Sequence, residues 1–436
     1  MKQISVFEGN ELKKTPPTLD ARDARCFLSG RGGDGKETKI ALSDDLLSKH
    51  LLFLGGIGTG KTNGIFQIVS ELRNRMSAND VMLIFDTKGD FYTTFYRKGD
   101  IVISNDEKAV GAHGTDYWNI FNEIEFDGAM EENVIEIARA LFYEKMQRSN
   151  QPFFPNAARD IFTGLLLHFC RSLDKTKNNN DQLRTFLDQS PSAEIRAVLQ
   201  KHDDLKAMTS YIADDRSPQT QGVISELQQL IREILVGNFR KAGTLSMRQA
   251  VRNKGGRIIF IEYDLGIGGM LTPIYRLLLD MALKEALGRK KSEGNVWFII
   301  DEFRLIPNLQ HIDDGVNFGR SLGAKFVIGV QNIEQVFHAY GESLARSILS
   351  GFSTTIAFKV NDITTRQFIQ QLFGKNRKKE IYMSSVAARG IVEQVRESNV
   401  VEDWDITNLP LGRAIIGLPE QEPFYFQFEK FALTTR

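Results

Sequence analysis

Five short apolar runs punctuate the chain, at residues 51–54, 81–85, 258–261, 296–300 and 325–330. Each is bounded by glycine, aspartate or polar residues. Near-continuous apolar strands of this length suit a parallel sheet covered on both faces. Amphipathic stretches between them predict helices, and therefore an α/β core. One stretch breaks the alternation. Over 131–240 the spacing is helical and no strand is evident: Val134, Ile137, Ala138 and Leu141 share one face, and Ile161, Leu165, His168 and Phe169 share another. Ser217-Pro218 is a helix start, with a capping side chain before proline at the first helical position, and Ile224, Leu227, Ile231 and Ile234 form the stripe that follows. Residues 131–240 therefore read as an all-α domain inserted into an α/β core formed by 41–130 and 241–436. The first 40 residues, with Pro16, Pro17 and the run Ser29-Gly-Arg-Gly-Gly-Asp-Gly-Lys36, read as irregular.

Composition narrows this little. At ~150 residues per domain, 436 residues suggest two to three domains. Lysine plus arginine and aspartate plus glutamate both number 55, so the formal net charge is zero. That excludes a bulk basic coat for nucleic acid but leaves room for a local basic channel. Asn376-Arg-Lys-Lys379 and Gly288-Arg-Lys-Lys291 are local basic clusters that read as solvated turns before DNA contacts. Cys26 and Cys170 cannot make a disulfide framework, and the chain fits the cytosol. His50, His113 and His168 stand at no metal-ligand spacing. No apolar run approaches the ~20 residues of a membrane helix, so a soluble chain is expected, with membrane contact peripheral or through a partner. The aromatic segments 91–96 and 424–428 read as core, and 376–430 as further strands.

The chemistry concentrates at strand ends. Gly55-Gly56-Ile57-Gly58-Thr59-Gly60-Lys61-Thr62 matches G-x-x-x-x-G-K-[ST], after one apolar run and before a helix. Such glycines turn backbone N–H groups toward phosphate oxygens. Lys61 reaches the β/γ-phosphates of ATP, and Thr62 offers a hydroxyl to Mg²⁺. The run 296–300 ends in Asp301-Glu302, where Asp301 suits Mg²⁺ and Glu302 suits polarising an attacking water. Asp86 ends another run and fits either the metal's water shell or a cap on the next turn. Arg320 sits in a turn from which it could cross to a neighbouring site and neutralise developing charge, or it is a surface arginine. Gln331, at a strand end, can sense a γ-phosphate or simply end its strand.

The phosphate loop, Phe85-Asp-Thr-Lys-Gly-Asp-Phe91, Trp118-Asn-Ile-Phe-Asn-Glu123, Ile300-Asp-Glu-Phe303, Gly319-Arg320, Gly329-Val-Gln331 and Tyr340-Gly341, in that order, resemble the type IV secretion coupling proteins of conjugative plasmids. These are hexameric RecA-like P-loop ATPases related to the FtsK and HerA pumps. The resemblance implies ATP and Mg²⁺ as cofactors, a homo-hexamer formed on ATP or DNA binding, DNA bound as a single strand without sequence preference, and relaxase or relaxosome proteins and secretion-channel components or a membrane-anchor protein as partners. It implies that Arg320, nineteen residues after Asp301, is an arginine finger, and that Gln331, thirty after it, links nucleotide to DNA-facing loops. The inserted all-α domain would recruit the DNA–relaxase substrate. The two N-terminal membrane helices of typical members are not seen, so a cytoplasmic chain is expected: either a partner supplies the anchor and holds it peripherally at the membrane, or this is a soluble branch, or the system is not a secretion channel. A soluble HerA/FtsK-like DNA pump of repair or defence, and an ATP-gated substrate receptor, are the alternative readings.

Overall fold

Among the described residues, seven parallel strands fill the centre of the molecule. The computed structural model describes residues 3–106, 116–288, 293–383 and 391–432. His113 and residues 289–291 of one basic cluster lie outside them, as do the side chains of Tyr382 and Val392. In chain order the described strands are β1 (Gln3–Glu8), β2 (Ala24–Gly32), β3 (Glu37–Ser43), β4 (Leu51–Leu54), β5 (Val81–Asp86), β6 (Ile101–Ile103), β7 (Arg257–Glu262), β8 (Val296–Ile300), β9 (Ala324–Val330), β10 (Thr354–Ala357), β11 (Lys375–Met383), β12 (Ile391–Asn399), β13 (Arg413–Gly417) and β14 (Phe424–Phe428). The main sheet has the order β3-β2-β14-β13-β10-β4-β9-β8-β5-β7-β6. From β10 to β6 all pairs are parallel, and the remainder is an antiparallel extension.

The apolar runs are continuous because both faces are covered. On β4, Leu52 and Leu54 enter one core while Leu51 and Phe53 enter the other. On β5, Val81, Leu83 and Phe85 oppose Met82 and Ile84 in the same way. The first core continues without a break into the helices of 130–239, through Val134, Ile137, Leu141, Ile161 and Leu165. Among the described residues of that stretch no strand occurs; the helices are Met130–Arg148, Phe153–Arg171, Asn180–Gln189, Ser192–Leu199 and Pro218–Ile234, with shorter 3-10 turns. The Ser217 hydroxyl accepts from Gln219 N–H ahead of Pro218. Among the described residues no helix is long and apolar enough to cross a membrane.

The structure departs from the expected irregular segment at 1–40. There, β1 pairs with β11, and β2 and β3 extend the main sheet. The glycines had pointed to loop, yet the turn is confined to 33–36. Cys26 and Leu28 face Leu42 and Ile40 across β2 and β3 in half-buried alternation, and Gly30 lies where β14 approaches too closely for a side chain. The cluster at 376–379 is likewise a strand and not a turn. Its charges are paired: Arg377 with Glu8 at 3.3 Å, Lys378 with Glu402 at 3.6 Å and Lys379 with Glu393 at 2.5 Å. Phe91, Phe95, Phe424, Phe426 and Phe428 are buried.

The Trp118–Glu123 motif forms the seam where the helical stretch leaves and rejoins the sheet layers. Asn119 Nδ2 donates to the carbonyls of Asn178 and Gly243, both at 3.0 Å. Asn180 Nδ2 donates to the carbonyls of Trp118 and Phe239. Glu123 is fully buried; it accepts from Trp118 Nε1 at 3.0 Å, Ser246 Oγ at 2.9 Å, and the Met247 and Arg248 amides. Burial pushes its carboxyl upward and these donors pull it back. A Glu123→Ala change leaves four buried donors without an acceptor, each worth ~1–3 kcal/mol. The expected outcome is a loss of at least ~3 kcal/mol, measured as a lower denaturant midpoint at unchanged slope.

Candidate functional site

Strand β9 lies between β4 and β8, so the ends of these three strands share one sheet edge. Register sets Leu54 beside Val330 and Ile300 beside Ile328. The phosphate loop, Gln331 and Asp301-Glu302 therefore emerge side by side, with the outer strands about 10 Å apart. Asp301 crosses close above Gly329; a Cβ there would stand 2.2 Å from the Asp301 carbonyl oxygen.

The loop 55–60 is pinned from both flanks. Gly55 N–H donates to Val330 O at 3.2 Å and Gly56 N–H to Lys359 O at 2.9 Å. The Thr59 hydroxyl donates to Gly56 O at 2.9 Å. Gly58 and Gly60 adopt φ of 70° and 118°. Helix Lys61–Arg75 begins after Gly60 with no side-chain cap, so its first N–H groups remain available to an anion, and the helix dipole favours one there. Ile57 stands exposed at the tip of the loop.

The charged side chains converge. Lys61 is buried and donates to Gly55 O at 2.5 Å and Gly56 O at 3.0 Å. Burial pushes its ammonium below the ordinary lysine range, while Asp301 and Glu302 pull the other way. Thr62 Oγ1 donates to Asp301 Oδ2 at 2.8 Å. Asp301 Oδ1 is buried with no hydrogen-bond partner. Burial raises the Asp301 carboxyl, against the Thr62 bond and the Lys61 charge. Glu302 is 8% exposed; its Oε2 accepts from Gln331 Nε2 and its Oε1 from Arg304 Nε at 3.1 Å. Burial raises it too, opposed by Arg304 and Lys61. A hydroxyl and a carboxylate oxygen with an unused lone pair form a hard-oxygen donor set that suits a divalent cation such as Mg²⁺.

Arg320 is not part of this assembly within the chain. It occupies the last turn of helix Ile312–Leu322 and not the expected turn, because the helix continues to its Gly323 cap. That position precedes β9, at the opposite sheet edge, about 20 Å away along a seven-residue strand. There Arg320 Nη2 donates to Asp45 Oδ1 at 2.8 Å, both side chains half-exposed. Asp86 resolves toward capping: Oδ1 accepts from the Lys88 and Gly89 amides, and Oδ2 from Tyr92 N–H at 2.8 Å.

Three neighbours of the site escaped the sequence reading. Arg304 follows Glu302 by two residues, but only the 3-10 turn Phe303–Leu305 returns it to the carboxylate. Lys88 follows β5, whose register places Asp86 beside Asp301; it is exposed, and its charge acts on both Lys61 and Asp301. Gly412 N–H donates to Thr59 O at 3.0 Å, so the β13–β14 hairpin braces the phosphate loop. That last contact spans more than 350 positions, and nothing local signals it.

With this geometry in place, the comparisons decide the family. The model for the type IV secretion-system coupling protein DNA-binding domain matches residues 36–426. The chain belongs to that family. Coupling protein TraD of Escherichia coli (strain K12) is 22% identical over 420 residues, covering 89% of this chain and 54% of TraD. The chain thus spans about half the length of that relative. Among solved structures, the unbound conjugative coupling protein TrwBdeltaN70 superposes with a TM-score of 0.74 at 20% identity, covering 94% of this chain and 90% of that one. Plasmid coupling protein TrwB in complex with ADP and Mg²⁺ gives 0.69 at 19%, covering 91% and 89%. The fold is therefore α/β of the RecA-like P-loop kind.

The segment after the acids is fixed from below. Asp280, on helix Gly268–Leu287, accepts from the Gln310 and His311 amides through Oδ1, while its Oδ2 is buried and unpartnered. Burial lifts its carboxyl to about 7, against the His311 amide and charge and the Arg276 charge. A folded-state value above the unfolded one means that the stabilisation is complete below pH ~4 and is lost as pH rises through about 7. Asp280→Asn cannot ionise. Its melting temperature is expected to exceed that of the unsubstituted protein by more at pH 8 than at pH 5, in paired thermal melts.

Proposed function

We propose that this chain is an ATP-hydrolysing DNA translocase of a type IV secretion pathway, assembled as a homo-hexameric ring. The observation that carries the reading is the convergence of Lys61, Thr62, Asp301, Glu302 and Gln331 on one sheet edge, with the Asp301 Oδ1 lone pairs unused. In this reading the loop from Gly55 through Gly56, Ile57, Gly58, Thr59 and Gly60 to Lys61 and Thr62 holds the triphosphate through backbone N–H groups. Lys61 turns from the loop carbonyls to the β/γ-phosphates. Thr62 and Asp301 would hold Mg²⁺, which neutralises charge on the β- and γ-oxygens when bound. Glu302 orients and polarises the attacking water, and Gln331 reports the γ-phosphate to the segment beyond β9.

The arginine comes from a neighbour. Arg320 stands at the far sheet edge from its own phosphate loop, which suits a head-to-tail ring where one protomer's far edge meets the next protomer's loop. DNA contacts would go mainly to phosphates, so binding should weaken steeply with salt and vary little with sequence. In the proposed division, 41–130 and 241–436 form the nucleotide-binding domain. The inserted all-α domain, 131–240, recruits the relaxase–DNA substrate, and secretion-channel proteins receive it. TrwB has been solved with ADP and Mg²⁺, which supports the choice of ligands.

Lys61→Ala is expected to abolish ATP hydrolysis. Arg320→Ala should retain ATP binding and lose turnover by ~10³-fold. Mixing the two variants should restore part of the DNA-stimulated rate, because some interfaces then pair an intact Lys61 with an intact Arg320. No recovery on mixing, with each variant folded, would overturn the shared site; ATPase indifferent to DNA but stimulated by a relaxase would overturn the motor.

A further inference from the structure

We propose that Arg304 is a clamp on Glu302, released when a nucleic-acid phosphate enters the cleft beside it. The inference rests on the reading of Glu302 as the residue that activates water. Both of its carboxylate oxygens are engaged, Oε2 by Gln331 and Oε1 by Arg304. With Glu302 8% exposed, little solvent can supply a further partner. A carboxylate that takes a proton from water needs an oxygen aimed at that water. Arg304 engages Oε1, the oxygen that Gln331 leaves free, so its Nε competes with a water for that oxygen.

The grip is partial. Arg304 holds Glu302 through Nε alone, and its Nη groups make no hydrogen bond among the described residues. Its side chain is 45% exposed, on the wall of a cleft of ~890 Å³. The same cleft is lined by Arg148 of helix Met130–Arg148, which is exposed and 3.9 Å from the Glu144 carboxylate. Asn308, Asn332 and His338 also line it and add donors. Guanidinium binds phosphate as a two-pronged fork, and a fork outcompetes a single Nε contact. Glu144 and Glu334 also line the cleft, so its overall charge is close to balanced. The draw on a polyanion therefore comes from the two arginines and should fade with salt. Release leaves Glu302 held by Gln331 on one oxygen and free to orient water with the other. DNA stimulation of hydrolysis then has a route of two contacts, phosphate to Arg304 and Arg304 to Glu302.

Steady-state ATPase of the full chain tests this, with and without a single-stranded oligonucleotide, for Arg304→Ala, Arg304→Lys and Glu302→Gln. Arg304→Ala is expected to raise the DNA-free kcat by about fivefold or more, leave KM for ATP within about twofold, and bring the DNA stimulation ratio close to one. Arg304→Lys, which keeps a charged donor, should restore a low basal rate. A basal rate unchanged or lowered in Arg304→Ala, with stimulation retained, overturns the clamp while Glu302→Gln inactivity preserves the reading of the acid. Hydrolysis that survives Glu302→Gln overturns both. Stimulation by polyglutamate in place of DNA would assign the cleft to an acidic polypeptide and overturn the phosphate trigger.

Discussion

The interleaving of β9 between β4 and β8 is the constraint on which the rest of the molecule depends. It brings the Thr62 hydroxyl and the Asp301 carboxylate to 2.8 Å although their strands are not neighbours. The crossing is possible because Gly329 offers no Cβ to the Asp301 carbonyl. A one-residue slip of β9 would put a side chain under that carbonyl and exchange the faces of a strand buried on both sides. The two apolar cores thus fix the register, and the register fixes the site.

Burial then sets the electrostatics. Lys61, Asp301 and Glu302 are all withdrawn from water, and burial alone disfavours every one of their charges. They stay compatible because opposite signs are close together, with Arg304 and Lys88 adding positive charge at the rim. A triphosphate would bring several further negative charges to the same edge. In the proposed reading the Asp301 lone pairs take up a divalent cation, and Arg320, a strand's length from its own phosphate loop, is left to serve a neighbouring chain's site.

What the sequence revealed, and what it hid, follows from interaction range. The phosphate loop and the acid pair are local patterns at the ends of continuous apolar runs, and β4 and β8 have the bounds those runs suggested. The Ser217-Pro218 start was legible for the same reason. Strand β2 was not, because its half-buried alternation is interrupted by glycines, of which Gly30 packs closely against β14, and its partner β3 at the sheet edge went with it. Nor were β6, three residues long, and β10, half threonine. In the candidate site, residue types were legible and their pairings were not. The cap that Asp86 makes was one of two readings its position allowed, whereas the Arg304 bond to Glu302 and the Gly412 brace on Thr59 depend on a turn and on contact between distant segments.

The helical stretch is fastened to the site as firmly as to the sheet. Glu136 on its first helix accepts from His311 at 2.9 Å and pairs with Lys284, and Arg276 donates to Ala140 O at 2.7 Å. His311 belongs to the segment that follows the acids, held by Asp280 from below and by Tyr340, whose hydroxyl donates to Ile306 O. The hydrogen bond to Glu136 raises the His311 imidazole against its burial, with the Asp280 and Glu136 charges adding to it, which strengthens this link where the ring is protonated. A displacement of helix Met130–Arg148 would strain the loop carrying Arg304 before it reached any strand, because the strands are locked in two cores and the loop is held by a few polar bonds. In the proposed reading, such a contiguous chain of contacts would be a physical route between a recruitment surface on the helices and the acid proposed to activate water. Each hydrogen bond of this network has a direction, and the position of the loop that follows the acids depends on those directions.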